Sequence, residues 1–214
     1  MKLSHLFGGL MVAACLVVGI AGANATTRLP AHGLDEVVWK SGAPSLIIQG
    51  TCTSATPTTV SFPNDPNRTL PAIEYVFKDA LVLKGNSQYQ ASNTPQEVRF
   101  KMFAGQMSDF PRPVPGQSYT LILYGNSVLG LTSVAFGNQG FFPETEVNGE
   151  TVVDSKGLVF ANKNVQQKFL NRNPANSKFL RQGTTSTGEL GSSEAQVTPA
   201  VLRDAIQTIL TGDK

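Results

Sequence analysis

The chain has 214 residues, 17 basic and 15 acidic side chains, a net charge of +2 and only 15% charged residues, where a soluble domain usually carries about a quarter. No run of either sign builds the basic stripe with which a nucleic-acid binder tracks phosphates. Two cysteines and two histidines in the whole chain are too few for a disulfide framework.

Residues 1–25 read as a signal peptide. Lys2 precedes an apolar run from Leu10 to Gly22, and Ala23-Asn24-Ala25 supplies the small-x-small pattern of a cleavage site. The expected location is therefore outside the cytoplasm, periplasmic or secreted. Val12-Ala13-Ala14-Cys15 also resembles a lipobox, and lipidation at Cys15 is the alternative. It would leave Leu16-Val17-Val18-Gly19-Ile20 as an apolar tail in water, costing roughly 25 cal/mol per Å², so cleavage after Ala25 is preferred. The run is shorter than the roughly 20 residues of a spanning helix, and no stable membrane anchor is expected. Cleavage removes His5 and Cys15 and leaves His32 and Cys52. One of each makes no common zinc site, so neither metal nor cofactor is expected.

From Thr26 onward, Gly, Pro, Asn, Ser and Thr are plentiful, which favours turns and short strands. A short helix is expected from Leu34 to Lys40, with Asp35 and Glu36 in its first turn and Gly42 and Pro44 ending it. From Ser45 the period becomes two: Leu46, Ile48, Gly50 and Cys52 share one side of a strand, and Ile47, Gln49, Thr51 and Thr53 the other. A strand over Ile73–Lys84 has apolar odd positions interrupted by Asp79; a bulge at Lys78-Asp79-Ala80 would turn Asp79 outward and let the strand bend. Val98, Phe100 and Met102 alternate with Glu97, Arg99 and Lys101, a half-buried strand with a charged outer face.

Pro111, Pro113, Pro115 and Gly116 make a rigid loop, after which Tyr119, Leu121 and Leu123 resume the alternation. Gly125-Asn126 and Gly137-Asn138-Gln139-Gly140 read as turns, with Ser133–Phe136 and Phe141-Phe142 flanking the second. Asn148-Gly149 is a strong hairpin signal, because both residues tolerate the positive φ of a type I′ turn. Leu158–Phe160 and a helical turn at Val165–Leu170 complete the unit. Seven or eight strands after one helix are enough to close a small barrel.

The order of these segments, SLIIQGTC, IEYVFKDALVLKG, PVPGQSYTLILY and QGFF, resembles exported OB-fold proteins of the netrin-like and tissue-inhibitor-of-metalloproteinase type, and uncharacterised exported bacterial proteins of similar pattern. The resemblance covers residues 33–160 and implies a mainly β fold: a small OB-like Greek-key barrel with added hairpins, used for binding. Those inhibitors present an N-terminal cysteine to a protease zinc and are stapled by disulfides. This chain has Thr26 at that place and only Cys52, so that mode of inhibition does not carry over.

The expected organisation is a signal peptide (1–25), a β-barrel domain (26–170), a flexible linker (171–197) rich in Asn, Ser, Thr, Gly and Gln, and a C-terminal amphipathic helix (198–212). Thr198 as N-cap and Pro199 at the first position open that helix, and Leu202, Ala205, Ile206, Ile209 and Leu210 make its apolar stripe. A helix this short is marginal alone, so it must dock on its own barrel or on a partner.

Chemistry is approached by elimination. His32 is the one base left for a nucleophile, and Cys52 points with aliphatic residues as an inert thiol; no catalytic residue is assigned. Glu144, Glu146 and Glu150 surround the Asn148 hairpin and are expected to be solvated, with nothing to raise a carboxyl pKa. Asn67-Arg68-Thr69 fits a glycosylation sequon. The function expected is a non-catalytic interaction module that binds another exported protein, through Phe110, Phe141 and Phe142 and through Leu202, Ile206 and Ile209 of the C-terminal helix. The alternatives are a structural surface or fibre subunit that donates a strand edge or the helix to a neighbour, and a small hydrolase using carboxylates such as Asp79 and Glu144.

Overall fold

The computed structural model describes residues 32–39, 46–105, 110–153, 157–181 and 196–212. The signal peptide, Cys15, the stop at Gly42-Pro44 and the middle of the expected linker lie outside the described residues.

The described fold begins with helix α1 (Leu34–Trp39), as its first-turn acids and apolar face predict. Strands β1 (Leu46–Phe62) and β2 (Asp65–Lys84) follow as one long antiparallel hairpin. Then come β3 (Ser92–Phe103), β4 (Ser118–Leu123), the two-residue β5 (Leu131–Thr132), and the hairpin β6 (Phe141–Val147) and β7 (Glu150–Val153). Helix α2 (Lys163–Arg172), a 3-10 turn (Pro174–Phe179) and helix α3 (Pro199–Thr211) end the described fold. The seven strands form one sheet in the order β5-β3-β2-β1-β4-β6-β7. The β3–β5 pair is parallel, so the sheet is mixed.

The bulge expected at Asp79 is present. Asp79 sits at φ +51° and is exposed, and the β2 register against β3 shifts between Phe77 and Ala80. Across the bulge, Gly50 of β1 lies so close to Ala80 that an added Cβ would stand 2.8 Å from the Ala80 Cα; only glycine permits that approach. The Asn148-Gly149 turn has φ of +53° and +81°, with Val147 opposite Glu150, as a two-residue hairpin requires.

Both faces of the central strands are buried, and the period-two pattern sorts them as anticipated. Leu46, Ile48 and Cys52 of β1 join Tyr75, Phe77, Val98, Phe100, Met102, Tyr119, Leu121 and Leu123 in one core. Phe77 of β2 and Tyr119 of β4 have β1 between them, yet their ring centroids are 6.3 Å apart. Two flat strand spacings alone measure about 9.6 Å, so the sheet curls over this core. On the opposite face, Ile47 and Ile122 join one core with Val38, Phe169, Leu202, Ala205, Ile206 and Ile209 from the helices and with Phe160 from the segment before α2.

Several expectations are corrected. The ladders do not close the sheet into a barrel: β5 and β7 are its ends, and after β5 a single bridge, Val134 to Leu123, reaches β4. The expected strand at Ser133–Phe136 is otherwise turn, because Phe136 and Gly137 take positive φ (+51° and +67°). Leu158 makes only a bridge, to Leu180. The β1–β2 hairpin runs well past the expected strands, to a turn between Phe62 and Asp65. The linker reading fails at both described ends. Residues 171–181 finish α2 and form the 3-10 turn, with Asn176 and Phe179 buried, and Val197 is buried while its carbonyl accepts from Val153 N–H at 2.8 Å. A few well-placed anchors outweigh a polar composition there. Helix α3 docks on its own fold, meeting α1, α2, β2 and β7. No helix among the described residues is long and apolar enough to cross a membrane.

Candidate functional site

The residues proposed from sequence as partner contacts separate into two groups. Leu202, Ile206 and Ile209 are fully buried in the core beneath α3, so they hold the fold together and are not free for a partner. Phe141 and Phe142 point to opposite faces of the sheet; the Phe141 ring lies 5.0 Å from that of Tyr119, and Phe142 packs on the helical side. Only Phe110 stands out of the core, 38% exposed.

Phe110 has company that the sequence reading missed. Val114, in the middle of the proline loop, is 56% exposed, and Phe103 at the end of β3 is 41% exposed. The Arg112 guanidinium donates to the Gly105 carbonyl at 2.7 Å, tying the loop back to the chain just after β3. The loop is braced at its other end as well: Val114 N–H donates to the Tyr119 hydroxyl at 2.8 Å, and Gly116 N–H to the Cys52 carbonyl at 2.8 Å. Buried Pro113 anchors it between these bonds. A sequence signal for Phe103 did exist. The alternation that puts Val98, Phe100 and Met102 inside puts Phe103 outside, in phase with Arg99 and Lys101, where a large apolar side chain is out of place.

A second cluster is polar, with Gln49 and Thr120 buried and Glu144 half-buried. Gln49 of β1 pairs with Thr120 of β4, and Glu144 of β6 stands two residues on from Phe142, the ladder partner of Thr120. Gln49 Nε2 is 3.1 Å from Thr120 Oγ1, 3.2 Å from the Pro199 carbonyl and 3.4 Å from Glu144 Oε1, and Arg203 Nη1 donates to Gln49 Oε1 at 3.2 Å. Contrary to expectation, Glu144 is partly desolvated. Burial pushes its carboxyl above the usual carboxylate range, against the opposing pull of hydrogen bonds from Gln49 and Thr120 and the charge of Arg203.

Elsewhere the chemistry is sparse. Glu146 is exposed and accepts from the Thr151 hydroxyl. His32 Nδ1 lies 3.3 Å from Glu36 Oε2, and its ring is 4.5 Å from that of Phe136. No nucleophile faces this histidine in these contacts. Cys52 is buried, and desolvation pushes its thiol up, away from the reactive thiolate. Asp79 is exposed at its bulge and Asn67 at the far end of the β1–β2 hairpin. Among the described residues, no group of three or more His, Cys, Asp or Glu could hold a metal ion. No protein-family model matches the chain, and no curated protein or solved structure matches it.

Proposed function

We propose that this chain is a non-catalytic binding module, working outside the cytoplasm, that recognises another exported protein through Phe110, Val114 and Phe103 at the proline-loop end of the sheet. The observation that carries this reading is the exposure of Phe110 and Val114 on a braced loop and of Phe103 at the end of β3. Aromatic anchors supply much of the energy of protein interfaces, and a loop whose prolines already fix φ loses little freedom on binding. The hydrolase alternative is weakened because Asp79 is exposed at its bulge, on β2, while the half-buried Glu144 lies on β6 and is engaged by Gln49.

The OB-like part of the reading belongs here too. The meander β1-β2-β3, the β1–β4 pair, the parallel β3–β5 pair and the Leu123–Val134 bridge trace a circle β1-β2-β3-β5-β4. Tyr124 N–H to Ser133 O at 2.9 Å and Ala135 N–H to Ile122 O at 2.8 Å lengthen its last seam. These bonds support an OB-like strand order in a sheet that is not closed into a barrel.

The test compares tagged full-length protein with a Phe110→Ser/Val114→Ser variant, each purified from the native exported fraction. Both should melt at the same temperature, since neither side chain is in the core. A stoichiometric protein retained by the wild type and lost from the variant is the expected result. Identical retention by both forms, or none by either, overturns the reading.

A further inference from the structure

The outer end of the β1–β2 hairpin runs past the rest of the sheet. β4 pairs with β1 only from Leu46 to Thr51, and that seam ends where Cys52 N–H donates to the Gln117 carbonyl at 3.0 Å. β3 pairs with β2 only as far as Ala72, after which Ala104 N–H reaches the Pro71 carbonyl at 3.0 Å. Beyond those bonds, residues 53–62 and 65–70 find their ladder partners only in each other among the described residues. The arm they form has its own packing. Val60 is buried opposite Leu70, Ala72 is buried with Thr58 and Phe103 as its ladder partners, and the Arg68 guanidinium lies 4.5 Å from the centre of the Phe62 ring. Such an arm offers two open edges, and an open edge is a template on which another strand can add. Residues 53–64 carry no charge to repel one and are rich in β-branched threonine.

What blunts these edges is the placement of two prolines. In an antiparallel ladder the backbone groups of alternate opposed pairs point at each other, and those of the remaining pairs point away. The Pro71 carbonyl is taken from the β3 side by Ala104, so the Thr59–Pro71 pair points away from the hairpin. The β1–β2 register is unbroken from Ser54 to Ser61, so the Ala55–Tyr75, Pro57–Ile73 and Ser61–Thr69 pairs point away as well. Along the free edge of β1 the outward residues are therefore Ala55, Pro57, Thr59 and Ser61, and Pro57 removes the N–H from within that row. On β2, outward Pro71 has no N–H and its carbonyl is already used, while Asn67 N–H is turned to Asp65 Oδ1 at 3.2 Å. Thr69 is the outward donor left between them.

We propose that Pro57 and Pro71 guard this arm against strand addition, and that the partner they exclude is a second copy of the chain. Two copies related by a two-fold axis would lay β1 against β1 antiparallel, with the same edge on both sides. No charge opposes that pairing, but each Pro57 leaves a carbonyl of the other copy without a donor, and symmetry makes the loss twice over. The guard lets the arm project while its chain stays a monomer, and it weighs against a fibre built by donating this edge.

The experiment is sedimentation equilibrium of the exported chain from micromolar toward millimolar concentration, joined to amide hydrogen exchange read residue by residue by NMR. The wild type should keep the monomer mass throughout. Pro57→Thr/Pro71→Thr, which restores both donors at exposed positions, should rise to the mass of a dimer or larger as concentration increases, and Pro57→Thr alone should do so along β1. Pro63→Thr, in the turn of the same arm and outside the ladder, should stay monomeric. The outward Thr59 amide should exchange fast in the wild type and slow several-fold in the associated variant. A wild type that already associates, proline variants that stay monomeric, association of Pro63→Thr as strong as that of Pro57→Thr, or a Thr59 amide that does not slow on association overturns the guard. Should the double variant fail to fold, Pro57→Thr and Pro63→Thr decide alone.

Discussion

At the scale of single residues, Asp35 holds more structure together than a surface carboxylate in a helix first turn would. It is buried, and its two oxygens accept from Ala161 N–H at 2.8 Å and Asn162 N–H at 2.7 Å. Those backbone groups lead directly into α2, so one side chain of a six-residue helix fixes where a later helix starts. Asp35→Ala leaves two part-buried N–H donors without their acceptor and should cost about 1–3 kcal/mol, read as a lower urea midpoint at unchanged m-value. Asp35→Asn should recover little of this, because its amide replaces an acceptor with a donor facing an N–H. Wild-type stability in Asp35→Asn would show that the two bonds do not hold the carboxylate there. Sequence suggested only that Asp35 favours the positive end of α1; its partners, 126 and 127 positions away, were beyond any local rule.

At the scale of elements, strand edges decide how the sheet is kept from pairing with strangers. β3 faces β5 over only Lys101 and Met102, which leaves its outer edge open before that point. Tyr89 closes the gap: its hydroxyl accepts from Arg99 N–H at 2.8 Å and donates to the Arg99 carbonyl at 3.1 Å, standing in for a missing strand. Tyr89→Phe should cost about 0.5–1.5 kcal/mol and speed exchange of the Arg99 amide, measured residue by residue by NMR. Unchanged exchange at that amide would show that the hydroxyl does not protect the edge. Where a strand is read by alternation, the sequence was legible: both faces of β1, the Tyr119, Leu121 and Leu123 face of β4, the outward Asp79 and the Asn148-Gly149 turn follow from period and backbone sterics. The outer half of the β1–β2 hairpin was not. Thr56 to Pro71 is rich in Thr, Pro and Asn and is mostly exposed, so its pairing comes from continuation of the inner ladder and leaves no hydrophobic period to read. The Gln49, Thr120 and Glu144 cluster was hidden for a different reason. Each residue looks like an ordinary polar strand position, and only the arrival of Pro199 and Arg203 at Gln49 ties them into one cluster.

At the scale of the whole molecule, the C-terminal helix changes status from appendage to half of a core. Its stripe was legible from spacing alone, but amphipathicity says that a helix docks and not where. Here Leu202, Ala205, Ile206 and Ile209 cover Ile47 and Ile122 of the sheet and meet Val38 of α1 and Phe169 of α2. Removing residues 182–214 therefore uncovers apolar surface on β1 and β4 together with the inner faces of both other helices. The expected outcome is an expanded, dye-binding form that lacks a cooperative melt; a folded domain that has merely lost a partner is not expected. A synthetic peptide of residues 196–212 added in trans should restore the cooperative transition, with a midpoint that rises with peptide concentration. Val197 must be included, since its buried side chain and its carbonyl bond to Val153 extend the edge at β7. A truncated chain that melts cooperatively without peptide would place the stability of the fold in the sheet and its inner core alone, and would return α3 to the role of a detachable recognition element.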